Sequence, residues 1–103
     1  MPLDLTYAAL ADPTRRAILE TLAQGPAPVG TLAAPFPISG PAISRHLRVL
    51  EDAGLILNQR AGKGRLCQLH PEPLSQAQAW LDFHHRFWTG SFDRLDSILK
   101  GQP

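Results

Sequence analysis

Half of the chain's ten Lys and Arg side chains lie between Arg45 and Arg65, a spacing that could serve phosphate binding. Residues 39–70 carry these five cations against two acidic residues, a local net charge of +3. The segments on either side, 1–38 and 71–103, each carry a net charge of −1, so the total of +1 conceals a basic middle. Clustered guanidinium and ammonium groups bind nucleic-acid phosphates, although a solvated surface explains many clusters of this size.

Few other side chains are candidates for metal binding or catalysis. Cys67 is the single cysteine, so one chain can form neither a disulfide nor a cysteine-rich zinc site. Cys67 with His84 or His85 supplies too few ligands for a closed metal site and no third group to orient a catalytic pair. The chain has no glycine-rich phosphate loop and no paired carboxylates in an evident pocket. We therefore expect that the protein is not an enzyme and that it binds neither a cofactor nor a metal.

Capping residues and prolines divide these 103 residues into the elements that must position the cations. Asp12-Pro13 predicts one helix start, because Asp caps helices and Pro fits the first helical position. Ser39 and Gly54 predict the two ends of another helix. The expected elements are helices near 4–11, 13–24, 29–34, 39–53 and 74–99, the last with a candidate bend at Gly90-Ser91, and a β-hairpin over 55–69 that turns at 62–64. This order predicts one mainly α domain over 1–103, a winged helix-turn-helix.

The 39–53 helix has one apolar and one polar face. Ile43, Leu47 and Leu50 form the apolar stripe, whereas Ser44 and Arg45 project on the far side with Arg48. A recognition helix needs small residues near base edges and cations near phosphates. An ordinary solvated helix would show the same stripe, so the hairpin decides between the two interpretations. Arg60, Lys63 and Arg65 surround its glycine-rich turn and form a narrow cationic tip, which favours double-stranded DNA as the partner.

Two stretches resemble signatures of a known family. Residues 11–19 (ADPTRRAIL) and 43–56 (ISRHLRVLEDAGLI) are similar to those of the ArsR/SmtB-type winged-helix repressors, and the resemblance extends from about Leu5 to Leu99. The tail is similar to a branch whose long aromatic final helix lacks metal ligands. The resemblance implies a homodimeric DNA-binding transcriptional regulator, usually a repressor, with dimer contacts in its first and last helices.

The resemblance also implies which residues contact DNA. Gly40 and Pro41 stand at positions that often carry polar residues, and neither side chain can donate a hydrogen bond to a base. We therefore expect specificity to depend on Ser44, Arg45, the hairpin and DNA deformability. The expected DNA-binding residues are Ser39, Gly40, Pro41, Ser44, Arg45, His46, Arg48, Arg60, Lys63 and Arg65.

Metal-sensing members of this family use one of two ligand sets. The site in the third helix needs cysteines, and residues 29–34 contain none. The site in the final helix needs Asp-x-His followed by a second histidine. Asp82 and His84 match the first half, but Leu95 stands where the second histidine is needed. We therefore expect a regulator that does not respond to metal.

The final helix predicts self-association. Its apolar side chains cover about 180° of the helix surface, whereas packing on one small core needs only about 100°. A single helix lying across its own domain is the alternative. The expected dimer-interface residues are Leu5, Trp80, Phe83, His84, Phe87, Trp88 and Leu95.

Other functions remain open at this point. A protein-interaction module could use the same fold without DNA, and Cys67 could make the regulator redox-responsive. The releasing signal could be a small molecule between the final helices, oxidation, or none at all. The chain shows no export signal and no apolar stretch of 18 residues, so we expect a cytoplasmic protein outside the membrane.

Overall fold

The computed structural model describes residues 2–101, which form five helices and a three-stranded antiparallel sheet with strand order β1-β3-β2. In chain order the elements are α1 (Leu3–Leu10), α2 (Pro13–Leu22), β1 (Ala27–Pro28), α3 (Val29–Ala33), α4 (Gly40–Asp52), β2 (Ile56–Ala61), β3 (Gly64–Leu69) and α5 (Glu72–Leu99). The predicted winged helix-turn-helix fold is confirmed, and every predicted helix begins and ends within two residues of its expected bounds.

Short polar side chains and one glycine define the helix ends. The carboxylate of Asp12 accepts the Arg15 backbone N–H at 3.1 Å and caps α2. The Ser39 hydroxyl accepts the Ala42 N–H at 3.2 Å and caps α4. Gly54 has φ = 74°, a left-handed conformation that terminates α4 and that other residues rarely adopt. These local interactions set the length and starting point of α4, the predicted recognition helix.

Asp12 makes folding dependent on pH. The hydrogen bond from the Arg15 N–H lowers the pKa of Asp12 below its usual 3.8. A carboxylate with a lower pKa in the folded chain stabilises the fold above about pH 4 and loses this contribution as the pH falls. We expect the thermal unfolding midpoints of the wild type and Asp12→Asn, which keeps a cap but cannot titrate, to converge as the pH falls from 6 to 3. A difference that stays constant over this range would contradict the assignment.

The core lies between the helices and the inner face of the sheet. Leu50 of α4 and Leu55 at the start of the hairpin have no exposed surface, and Ile18 of α2 is 1% exposed. The apolar stripe predicted for α4 is buried here. The buried core comprises Ala9, Ile18, Leu19, Leu22, Ala27, Leu32, Ile43, Leu47, Leu50, Ala53, Leu55, Ile56 and Cys67.

The structure departs from the sequence-based expectation in three places. Strand β1 was not predicted; Ala27 pairs with Cys67, and two residues are too few to show an alternating pattern. The hairpin turns through two residues instead of three, because Ala61 pairs with Gly64. Helix α5 continues through the candidate bend at Gly90-Ser91 without interruption.

Helix α5 extends well beyond the rest of the molecule. Its 28 residues correspond to about 42 Å. The radius of gyration is 19.2 Å, compared with about 13 Å for a compact domain of 100 residues. No helix within residues 2–101 is both long enough and apolar enough to cross a membrane.

Candidate nucleic-acid interface

Helix α4 presents an exposed face opposite its buried stripe. Ser44 and Arg45 are fully on this face, and the preceding residues Gly40 and Pro41 are also exposed. Two small residues at the start of the helix let its first turn approach another surface closely. The structure thus places together the exposed candidates for DNA contact in α4, namely Ser39, Gly40, Pro41, Ser44, Arg45 and Arg48.

Arg48 lies at the far end of this face. Its Nε is 4.0 Å from Asp52 Oδ1, and both side chains are mostly exposed. Exposed ion pairs of this length contribute little to stability. Arg48 therefore stays available to an external anion.

His46 differs from its neighbours in α4. Its ring is half-buried and faces the corner between α1 and α2 instead of the exposed face. Nδ1 lies 3.2 Å from Nη1 of Arg15 and 3.9 Å from a carboxylate oxygen of Asp12. Among the predicted DNA-binding residues of α4, His46 is thus the one that, within residues 2–101, forms a hydrogen bond with a side chain outside this helix.

Arg15 and Arg16 bind the carboxyl end of α1, a role that sequence reasoning missed. Arg15 donates through Nε to the Ala9 carbonyl at 2.8 Å, and Arg16 donates to the Leu10 carbonyl at 2.8 Å. The last carbonyls of a helix have no partner within the helix and favour a nearby cation. Two adjacent arginines shortly after a predicted helix end could have indicated this role. Their partners lie in a different helix, however, and the sequence does not show that contact.

The hairpin β2–β3, here called the wing, carries two arginines directly opposite each other. The register pairs Arg60 with Arg65 next to the turn. Side chains of directly opposite residues have Cβ atoms about 4.5–5.5 Å apart, and like charges there destabilise the strand pair. No carboxylate in residues 2–101 lies within 4.0 Å of either guanidinium. This crowded positive charge is suited to an external anion such as phosphate.

The turn of the wing exposes a third cation. Gly62 has φ = 60°, and no residue other than glycine among residues 2–101 has a positive φ. A positive φ at the first central residue alone matches a type II′ turn, the geometry that joins twisted strands through two residues. Lys63 is therefore the second central residue of the turn, at the exposed tip of the wing.

Cys67 lies on the buried face of the wing. It has no exposed surface, and burial raises the pKa of its thiol. Reactive cysteines are partly exposed and have a lowered pKa, because the thiolate is the species that reacts. Both observations disfavour oxidation of Cys67 as the regulatory signal.

The burial of Cys67 makes its reactivity testable. We expect a thiol reagent to label the native protein at least about 1,000-fold more slowly than the urea-unfolded chain, because access requires opening of the core. The absorbance of the released thiol product measures both rates. Labelling of the native protein at the rate of the unfolded chain would restore the redox alternative.

Within residues 2–101, helix α5 packs on the other elements through its first turns. Its buried residues are Pro73 and Ala77, and the Tyr7 hydroxyl of α1 donates to the Ala77 carbonyl at 3.2 Å. Beyond this contact, α5 exposes a series of large apolar side chains. Their exposed fractions run from 45% to 75%, and they are Trp80, Leu81, Phe83, Phe87, Trp88, Phe92, Leu95, Ile98 and Leu99.

The residues of the incomplete metal motif have other partners. Asp82 accepts a hydrogen bond from Gln78 at 2.9 Å, and His84 stacks on Trp80 with ring centroids 4.1 Å apart. Within residues 2–101, no three His, Cys, Asp or Glu side chains are grouped closely enough to hold an ion.

Comparison with known proteins gives matches over nearly the whole chain. A family model described as a helix-turn-helix domain matches residues 10–59. The HTH-type transcriptional regulator Rv2034 of Mycobacterium tuberculosis is 50% identical over 99 residues, which cover 96% of this chain and 90% of that protein. The transcriptional repressor SdpR of Bacillus subtilis is 37% identical over 75 residues, which cover 73% of this chain and 83% of that protein.

A solved structure extends the similarity to three dimensions. It is described as the ArsR family transcriptional regulator RHA00566 and is 41% identical, with a TM-score of 0.81. The match covers 84% of this chain and 96% of that one. The similarity therefore includes the helices that flank the helix-turn-helix as well as the motif itself.

Proposed function

This chain belongs to the ArsR family of winged helix-turn-helix transcriptional regulators, and we propose that it acts as a homodimeric repressor on an inverted-repeat operator. The observation that carries this proposal is the exposed Ser44–Arg45 face of α4 together with the unneutralised arginines of the wing. Residues 1–103 serve as one domain, with a recognition helix at 39–53, a wing at 55–69 and a dimerisation helix at 74–99.

The proposed DNA contacts divide into two kinds. Ser44 and Arg45 read base edges in the major groove, since they stand on the exposed face of α4. Arg60, Lys63 and Arg65 bind phosphates or enter the flanking minor groove. The remaining contacts proposed in α4 are the backbone and short side chains of Ser39, Gly40 and Pro41, and the guanidinium of Arg48.

The proposed dimer uses the exposed apolar face of α5. Leu5 of α1 is 42% exposed, and the proposed interface includes it. Burying one large apolar side chain contributes roughly 1.5–3 kcal/mol, so a second copy that covers several of them gains a stable interface. A twofold dimer places two copies of α4 in successive major grooves roughly 34 Å apart, which requires an inverted repeat. The interface residues proposed are Leu5, Trp80, Phe83, His84, Phe87, Trp88 and Leu95.

The last part of the proposal is that the protein represses transcription and does not respond to metal. Repression is supported by the similarity to SdpR, which is named a transcriptional repressor. Insensitivity to metal is supported by the partners that Asp82 and His84 already have. A titration with nickel or zinc is expected to leave the DNA affinity unchanged, and a metal-dependent shift would overturn this part.

Selection from random and genomic DNA fragments tests the proposed function. We expect an inverted repeat to be enriched, and a gel shift to show one dimer bound to it. If each subunit neutralises about three to five phosphates, the logarithm of the affinity should fall with the logarithm of salt concentration with a slope of about −5 to −9. No enriched sequence, or a slope near zero, would favour the protein-interaction alternative.

A further inference from the structure

The guanidinium of Arg15 joins the carboxyl end of α1 to the recognition helix. Nε and Nη2 donate to the carbonyls of Ala9 and Ala8 at 2.8 and 2.9 Å. Nη1 lies 3.2 Å from Nδ1 of His46 in α4. Because a guanidinium can only donate, Nδ1 is the acceptor in this last contact. The side chain of Arg15, which stands in α2 and 31 residues before His46, thus connects α1 with α4.

His46 occupies a boundary position on α4. Its neighbours Ser44 and Arg45 face solvent, whereas Leu47 lies in the core at 3% exposure. The apolar contacts of Leu47 are non-directional, so alone they leave α4 some freedom to rotate about its axis. The hydrogen bond to Arg15 has a required direction and therefore restricts that rotation. The buried stripe determines which face of α4 is exposed, and this hydrogen bond further restricts its angle.

The same connection reaches the proposed dimerisation helix. Helix α1 is bound to α5 by the Tyr7 hydroxyl at the Ala77 carbonyl, and the ring of Tyr7 meets Trp80 edge to face at 6.1 Å. Arg15 binds α1 two residues beyond Tyr7, at Ala9. A continuous series of contacts therefore runs from α5 through α1 and Arg15 to α4.

We propose that Arg15 and His46 are positioning residues for DNA recognition, which together set the orientation of α4 relative to α1 and α5. This inference rests on the proposed function and assigns His46 a role other than direct contact with DNA. Asp12 fixes the start of α2, the helix that carries Arg15, because its carboxylate accepts the Arg15 backbone N–H at 3.1 Å.

Replacement of His46 separates positioning from the other roles. His46→Leu removes the acceptor, and we expect it to weaken binding to the selected inverted repeat by about tenfold while binding to a random duplex stays within about twofold. His46→Asn keeps an oxygen close to the position of Nδ1, and it should restore most of the lost affinity. Fluorescence anisotropy with both duplexes measures these values on the full chain.

Replacement of Arg15 provides the second arm of the test. Arg15→Met should produce a similar loss of about tenfold, although Arg15 lies outside α4 and the wing. The double variant Arg15→Met/His46→Leu should lose no more than either single variant, because both remove the same connection. Should Arg15→Met fail to fold, Arg15→Lys replaces it, since an ammonium group cannot span two carbonyls and the ring.

Each outcome has a defined meaning. Equal losses on both duplexes indicate a phosphate contact, and loss of preference at a single base position indicates a base contact; either result overturns positioning. Independent losses that multiply to about 100-fold also overturn it. A lowered unfolding midpoint with an unchanged ratio of specific to random affinity assigns the pair a purely structural role. If the wild type selects no sequence, the proposed function itself fails, which the wild-type measurement reveals before any variant is compared.

Discussion

Replacing Trp88 with glutamate is expected to leave each protomer folded, to prevent dimer formation at micromolar concentration and to weaken operator binding by about 100-fold or more. Trp88 lies beyond the contact of α5 with the rest of the chain and is 57% exposed, so the protomer does not depend on it. In the proposed dimer its ring is buried, where a carboxylate would lose its hydration without gaining a partner. Sedimentation velocity and anisotropy measure the two effects.

A matched control is available one residue along the helix. Thr89→Glu introduces the same charge at an exposed position outside the apolar face of α5. This variant should remain dimeric and should bind the operator like the wild type. A Trp88→Glu protein that stays dimeric, or that binds normally as a monomer, would contradict the proposed use of α5.

Arg45→Ala is expected to lower affinity for the selected operator by about 1–3 kcal/mol and to relax sequence preference at the position that Arg45 reads. Arg45 is exposed on α4 and makes no hydrogen bond or ion pair within residues 2–101. Lys63→Ala, at the tip of the wing, should weaken specific and random duplexes about equally and reduce the salt slope by about one. Repeating the fragment selection with each variant separates the two roles.

The loss of charge alone needs its own control. Arg86 is an exposed cation on α5, remote from α4 and the wing in the sequence. Arg86→Ala removes the same charge as Arg45→Ala and should leave sequence preference unchanged. Identical effects of Arg45→Ala and Lys63→Ala on preference would disprove base reading by Arg45.

Local interactions made the helix boundaries predictable. Asp12, Ser39 and Gly54 act on residues within a few positions of themselves, so their types and spacing were enough. The buried stripe of α4 was predictable for a similar reason, because its apolar residues recur in the sequence with the helical period of 3.6 residues. The exposed face with Ser44 and Arg45 followed from that period.

Long-range pairing was not predictable from the sequence. Arg60 and Arg65 stand directly opposite each other because the turn has two residues. The sequence analysis assigned Gly64 to the turn, and that three-residue turn did not predict this pairing. Contact between Arg15 and His46 depends on how α1, α2 and α4 pack, which no periodicity expresses. For the same reason the place of His46 in α4 suggested DNA contact and did not reveal that its ring lies 3.2 Å from Arg15.

In the proposed dimer, the limited support of α5 would make operator binding depend steeply on protein concentration. Residues 81–99 form a helix with little support of its own, because most of the stability of a helix in a protein comes from the packing of its apolar face, which is exposed here. In the proposed dimer, completion of this helix and association of two chains become one bimolecular equilibrium. Operator occupancy would then rise more steeply than in direct proportion to the protein concentration. When cell division dilutes the protein, a dimeric repressor would therefore leave its operator sooner than a monomeric one.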